Sequence, residues 1–191
     1  LGLEDDKKYI LYLGGTSKLK GSHLIVEAMK YLNNDKINLV FVGNQFHSED
    51  KSKFNVFTFL KRIFKLDHNE KLRKLYYENN LEDKILFTGR VTNPELYYLA
   101  CDIVVFPSTK PHQARPIYEA GIAQIPLIIT DFSQTKEFTN NKVLTFEKNN
   151  SYDLAQKIEA VLSGRIDVSR LIQNNYKQTI ENHDLDTLKE D

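Results

Sequence analysis

Glu119 and the loop before it carry the most pointed chemistry in the chain. Ile103 to Phe106 is an unbroken apolar run, stopped by Pro107 and Ser108; Thr109 to Arg115 is polar and without period. Pro116 suits a first helical residue, where a missing N–H costs nothing. The segment therefore reads as strand, loop and helix, and the loop delivers the chain to a helix N-terminus. Unpaired N–H groups and the positive dipole end at such a place suit a phosphate. Glu119 lies about one turn into the helix, and helical side chains lean back toward the N-terminus. Its carboxylate can accept two hydrogen bonds, as a vicinal diol would supply. The alternative reading of the same residue is a carboxylate complementing the helix dipole. A second loop, GGTSKLKG from Gly14 to Gly21, is bounded by glycines and carries Lys18 and Lys20.

Elements must position these groups, and the chain supplies them in alternation. Tyr9 to Leu13, Ile37 to Val42, Ile85 to Phe87, Ile103 to Phe106, Leu127 to Thr130 and Val143 to Phe146 are short apolar runs. Each is continuous rather than alternating, as expected of strands buried on both faces. Between them fall helical segments: one capped by Ser22 with Leu24, Ile25, Ala28, Met29 and Leu32 on one face; one marked by Leu72, Leu75 and Tyr76 and ended by Asn79 and Asn80; one opened by Asn93, Pro94 and Glu95; one capped by Ser133. Two more follow, Ser151 to Leu162 and Asp167 to Asn182, the latter with Val168, Leu171, Ile172, Tyr176 and Ile180 facing inward. The pattern predicts an α/β fold, a Rossmann-like doubly wound parallel sheet of about six strands with helices on both faces. In such sheets ligands sit outside the carboxyl ends of the strands, here between the 14–21 and 107–116 loops.

Composition narrows the classes. The chain has 191 residues, 26 basic against 26 acidic, and a single cysteine, Cys101. Balanced charge without a basic, aromatic-interleaved stripe argues against nucleic acid as a partner. One cysteine allows no internal disulfide and fits a reducing compartment; at a strand start it reads as a small buried side chain. No apolar run is long enough to span a membrane. No G-x-G-x-x-G follows the first strand, which argues against a dinucleotide-dependent dehydrogenase. The opening LGLEDDKKYILYLGG reads as the middle of a longer protein. Residues 44–70 exceed a normal connection and are expected to form an insertion. Within it, eight large apolar residues from Phe54 to Leu66 alternate irregularly with Lys51, Lys53, Lys61, Arg62 and Lys65. A packed insertion and a basic amphipathic helix on an anionic membrane are both compatible with that pattern.

Taken together, the glycine-ended first strand with Lys20 and Gly21, the strand ending in Val42 and Gly43, the Phe87-Thr88-Gly89-Arg90-Val91 run, Asp102 to Ser108, Pro116 to Ala120 and Glu137 resemble the C-terminal domain of the retaining family 4 glycosyltransferases of GT-B fold. The order and spacing of these features carry the resemblance, over nearly the whole chain outside 44–70. It implies a domain over residues 1–183 that binds a nucleoside-diphosphate sugar, a truncated helix at 184–191, and an N-terminal acceptor domain lying outside this sequence. It implies cytoplasmic sugar transfer to a glycan or lipid-linked acceptor in bacterial capsule, lipopolysaccharide or exopolysaccharide assembly, at most peripheral on the inner face of the membrane, with no metal or cofactor beyond the sugar nucleotide. By resemblance the donor-binding set is Gly14, Gly15, Lys18, Lys20, Gly89, Arg90, Val91, Ser108, Ala114, Arg115, Ile117 and Glu119. Lys20 would reach the diphosphate, Gly89 to Val91 the base, the Ala114 to Ile117 amides the diphosphate, and Glu119 the ribose hydroxyls. No catalytic nucleophile is implied. The sequence also departs from the family. Pro111 stands where a sugar-contacting glutamate is expected, Gly15 where an arginine is, and Gln124 where a glycine is. His112, Gln113 and Arg115 replace small and apolar residues and could rebuild the sugar site with new donors. A noncatalytic nucleotide- or sugar-nucleotide-binding module is the second reading these departures leave open.

Overall fold

The computed structural model of the chain describes residues 1–46, 68–112, 115–139 and 143–183. Six parallel strands form one sheet: β1 Lys8–Leu13, β2 Ile37–Val42, β3 Ile85–Gly89, β4 Ile103–Phe106, β5 Leu127–Thr130 and β6 Leu144–Phe146, in the order β3-β2-β1-β4-β5-β6. The described helices are α1 Ser22–Met29, α2 His68–Glu78, α3 Glu95–Ala100, α4 Arg115–Ile122, α5 Ser133–Thr139, α6 Ser151–Leu162 and α7 Ser169–His183. The expected fold class is therefore the observed one.

The apolar runs form strands because both sheet faces are covered. Ile10 and Tyr12 point into a core shared with α1, α6, Leu39 and Phe41. Their neighbours Tyr9 and Leu11 point into the opposite core, with Val40, Val104, Ile117 and Ala120. All six residues of β2 are buried, and the one polar member, Asn38, donates from Nδ2 to the Asp83 carbonyl at 3.0 Å. The strand order reverses between β1 and β4, which are paired through Ile10–Ile103 and Leu11–Val104. Asp102 secures this junction at the amino end of the strands: it accepts from the Tyr9 amide at 2.8 Å and pairs with Lys8 at 2.8 Å. Asp102 is thus a fastening at the end of the sheet opposite the crevice.

Several boundaries and faces differ from expectation. Ser22 does not cap α1; Gly21 occupies the cap position with φ 74°, and the Ser22 hydroxyl pairs instead with His68 Nε2 at 2.7 Å. Pro94 lies one position before α3 rather than inside it, and Arg115 rather than Pro116 opens α4. The true side-chain cap is Asn150, which accepts from the Asp153 amide at the start of α6. The truncated helix expected at 184–191 lies outside the described residues, and the helix read from Asp167 begins at Ser169, two residues later. Its inward face is also different: Tyr176 and Ile180 are 39% and 40% exposed, whereas Asn175 and Thr179 are buried. The reason is Gly121 on α4, where an added Cβ would stand 2.3 Å from Thr179 Oγ1. A helix that approaches so closely presents small polar residues, not Tyr and Ile.

The long connection is likewise shorter than its apparent bounds. Phe46 is buried and packs edge-to-face on Phe41, Tyr76 and Phe87, and residues 68–70 belong to α2. The basic and apolar segment 51–66 lies outside the described residues. No helix among the described residues is long and apolar enough to cross a membrane.

Candidate functional site

The crevice at the carboxyl ends of β1 and β4 is built by two loops fastened to each other. The Thr109 amide donates to the Leu19 carbonyl at 2.9 Å, and its hydroxyl to the Lys18 and Leu19 carbonyls at 3.3 Å. Gly21 lies against the second loop so closely that a Cβ would fall 1.7 Å from the Pro107 carbonyl oxygen. Only glycine fits there, both for space and for its φ of 74°. Beneath, Ser108 is buried and its carbonyl accepts from Thr130 Oγ1 at 2.7 Å. The second loop is therefore held from β5 as well as from the 14–21 loop. Lys18 and Lys20 ride on this frame, Lys18 exposed and Lys20 half-buried.

The other wall of the 14–21 loop is a run of glycines from three strands. The Gly15 amide donates to Val42 O at 2.9 Å and the Gly43 amide to Gly89 O at 2.8 Å. Cβ atoms at Gly15 or Gly43 would fall 2.7–2.8 Å from the other segment's backbone. The glycine at 15, read as a departure from an expected arginine, is thus demanded by the close approach of β2's exit. Beside it, Arg90 Nε donates to Asn44 Oδ1 at 3.1 Å, on the exposed rim. Val91 packs against the second core.

Helix α4 carries Glu119 toward α3. Ile117 and Ala120 are buried and anchor the helix to the sheet, leaving Glu119 half-buried. Tyr98 Oη donates to Glu119 Oε2 at 2.6 Å. Burial first, and then the bond to Glu119, push the Tyr98 phenol far above its ordinary range, while the Arg115 charge acts in the opposite sense. The phenol is thus a donor at all working pH values. Arg115, Pro111 and His112 are exposed, and the His112 ring sits 6.1 Å from that of Phe106. Gln113 and Ala114 lie outside the described residues, as does the Glu137 side chain.

Two other titratable groups stand near the frame. Cys101 is buried and free, and burial pushes its thiol up to about 12, which agrees with a packed side chain. His23, next to Ser22, is held down at about 4 by burial and then by His68; its Nδ1 is buried without a hydrogen-bond partner. Among the described residues no group of three His, Cys, Asp or Glu is arranged to hold a metal ion.

The structure joins the 14–21 loop, with Gly14, Gly15, Lys18 and Lys20, to the Pro107–Thr109 segment that includes Ser108, and to the β2 and β3 exits that lead to Gly89, Arg90 and Val91. Arg115, Ile117 and Glu119 lie on α4, where Ile117 is buried in the second core and Glu119 meets Tyr98. Sequence reasoning missed Thr109, Asn44 and Tyr98. Adjacent Tyr97 and Tyr98 look alike in sequence; only packing makes one of them reach Glu119.

A six-stranded, all-parallel, doubly wound sheet with a crevice at the carboxyl ends of its strands places the chain in the Rossmann-like α/β class. Residues 1–178 match the family model "Glycosyl transferases group 1", and the chain belongs to that family. It is 24% identical to an uncharacterised glycosyltransferase of Methanocaldococcus jannaschii over 98% of this chain and 44% of that protein. Among solved structures it resembles Anabaena HepE in complex with UDP and glucose (TM-score 0.78, 18% identity, 97% of this chain and 47% of that one). It also resembles the C-terminal domain of a group 1 family glycosyl transferase, LpcC, from Francisella tularensis (TM-score 0.71, 21% identity, 93% and 87%). The chain spans less than half the length of the Methanocaldococcus and Anabaena proteins.

Proposed function

We propose that the chain is the donor-binding half, residues 1–183, of a retaining family 4 glycosyltransferase, and that its crevice binds a nucleoside-diphosphate sugar. The carrying observation is the placement of Glu119 one turn into a helix that opens at the β1–β4 switch point. The likeness to HepE, whose solved complexes contain UDP and UDP-glucose, and to an isolated C-terminal domain supports this reading. In it, Lys20 and the amides opening α4 take the diphosphate, Arg90 and its neighbours the base, and Glu119 the ribose diol. Transfer proceeds with the sugar nucleotide as sole co-substrate and rests on positioning and charge stabilisation at the diphosphate. An N-terminal domain supplies the acceptor, a glycan or lipid-linked saccharide, on the cytoplasmic side of the membrane.

The test is calorimetric titration of the chain with UDP, GDP and ADP. One of the three should bind with affinity in the micromolar to millimolar range, about 4–8 kcal/mol. Absence of binding to all three would sink the donor-site reading. Pro111, in place of a sugar-contacting glutamate, favours a second reading, a nucleotide-binding module without transferase activity. It would show as nucleotide binding without turnover in the full-length protein.

A further inference from the structure

We infer that Tyr98 is a positioning residue that orients the Glu119 carboxylate for the nucleotide ribose; the inference rests on the donor-site reading above. Glu119 belongs to α4 and Tyr98 to α3, and their only shared feature in sequence is the distance between them. In the fold Tyr98 is 4% exposed and its ring is packed in the second core, beside Ile117 and Ala120. Such a ring has little freedom, so its hydroxyl is a fixed point. It donates to Glu119 Oε2 at 2.6 Å, the short length of a charge-assisted bond.

A glutamate side chain has rotatable bonds that must otherwise be frozen when a ligand binds. Tyr98 holds one oxygen before any ligand arrives. A carboxylate offers about four lone-pair sites. Tyr98 takes one, so the remaining sites still suffice for two ribose hydroxyls. The phenol stays protonated through burial and the bond itself, so it remains a donor to the carboxylate and never stands beside it as a second anion. The alternative role for Tyr98 is structural: a buried hydroxyl that needs a partner and finds a carboxylate. The two roles separate by ligand. Positioning matters only for a ligand with ribose hydroxyls, whereas a structural role would weaken every nucleotide.

The experiment is calorimetry with UDP and with 2′,3′-dideoxyuridine diphosphate on wild type, Tyr98→Phe, Glu119→Ala and the double variant. Thermal unfolding of each without ligand shows that it is folded; phenylalanine keeps the ring and its packing. Tyr98→Phe should weaken UDP binding about five- to twenty-fold, leave the dideoxy ligand unchanged, and cause no further loss in the Glu119→Ala background. Unchanged UDP affinity in Tyr98→Phe, with weakened binding in Glu119→Ala, overturns the inference and leaves the donor site standing. Equal weakening of both ligands by Tyr98→Phe also overturns it. If Glu119→Ala binds UDP as wild type does, or wild type binds none of UDP, GDP and ADP, the donor-site reading fails and the inference falls with it. Where wild type binds only GDP or ADP, that nucleotide and its 2′,3′-dideoxy analogue replace the uridine pair.

Discussion

Glu119 is where a local alternative can be decided by magnitude. As a helix-dipole partner it would contribute about 0.3–1 kcal/mol to stability and nothing to binding. As a ribose acceptor it forms charge-assisted hydrogen bonds in a half-buried setting, each about 1.5–3 kcal/mol on a mutational scale. Glu119→Ala should therefore weaken nucleoside-diphosphate binding roughly ten- to a hundred-fold, about 1.4–2.8 kcal/mol, with Glu119→Gln in between. The fold should survive, with Glu119→Ala losing about 1–3 kcal/mol of stability because the buried Tyr98 hydroxyl is left without its acceptor. Lowered stability with unchanged affinity would make the residue structural. Gln124 illustrates the opposite kind of residue. The resemblance asks for glycine there, and the backbone indeed takes φ 52°. The bonds Gln124 N to Gly121 O and Ile125 N to Ala120 O close α4 in the Schellman pattern. The conformation persists without its usual residue, at a strain cost of about 1–2 kcal/mol.

At the scale of elements, the 14–21 loop and the segment after β4 behave as one unit because Gly21 lets their backbones touch. Gly21→Ala adds a Cβ into the Pro107 carbonyl, and that carbonyl belongs to the loop leading to α4. Gly164 has nearly the same φ, 73°, with nothing within 4 Å of a built Cβ. Gly164→Ala should thus cost only the left-handed strain, about 1–2 kcal/mol, while Gly21→Ala should cost at least twice that and also weaken nucleotide binding. Chemical denaturation of the two variants checks the ordering; equal losses would show that the contact is not rigid. Helix α1 carries a second consequence. Protonation of His23 is opposed in the fold by burial, then by His68, Lys71 and Lys18, and favoured only by Glu27. Its folded value of about 4 lies below the ordinary 6.5, so the unfolded chain binds the proton first. His23's contribution is fully present above pH 6.5 and is lost progressively as pH falls toward 4. His23→Gln should flatten the pH dependence of unfolding in that window; an unchanged slope would refute it.

For the whole molecule, the donor-site proposal predicts a division of labour. The crevice faces outward from the carboxyl ends of β1 and β4, and transfer needs an acceptor held against it. The isolated chain should bind nucleotide without transferring sugar, and the full-length protein should turn over one of a panel of nucleoside-diphosphate sugars. Turnover by the isolated chain would show that no second domain is required.

How much of this was legible in the sequence follows from what each signal measures. β2, β4 and β5 were readable to the residue, because a strand covered on both faces must be apolar throughout and its ends are marked by glycine, proline or a polar residue. The parallel doubly wound class followed from alternation of those runs with helical periods. Both loops of the site were legible as breaks in pattern, and Glu119 as the acidic residue about one turn into the helix that follows. The inner face of α7 was legible at Leu171 and Ile172, which line an apolar cavity with Ile125, Val143 and Val161, but not at Tyr176 and Ile180, which are exposed. Periodicity ranks residues by hydrophobicity, whereas Gly121 sets how near the helix comes and so selects Asn175 and Thr179. The Ser22 hydroxyl was read as a cap for the same reason: sequence shows a residue type, and only the arrival of His68 from a distant helix decides its partner. Tyr98 and Glu119 meet only because α3 and α4 pack on one face of the sheet. Sequence by itself determined which segments become strands and where the chain is free to build a site; tertiary structure alone decided which side chains meet there, since contacts between distant elements depend on interhelical distance and direction, which no local pattern encodes.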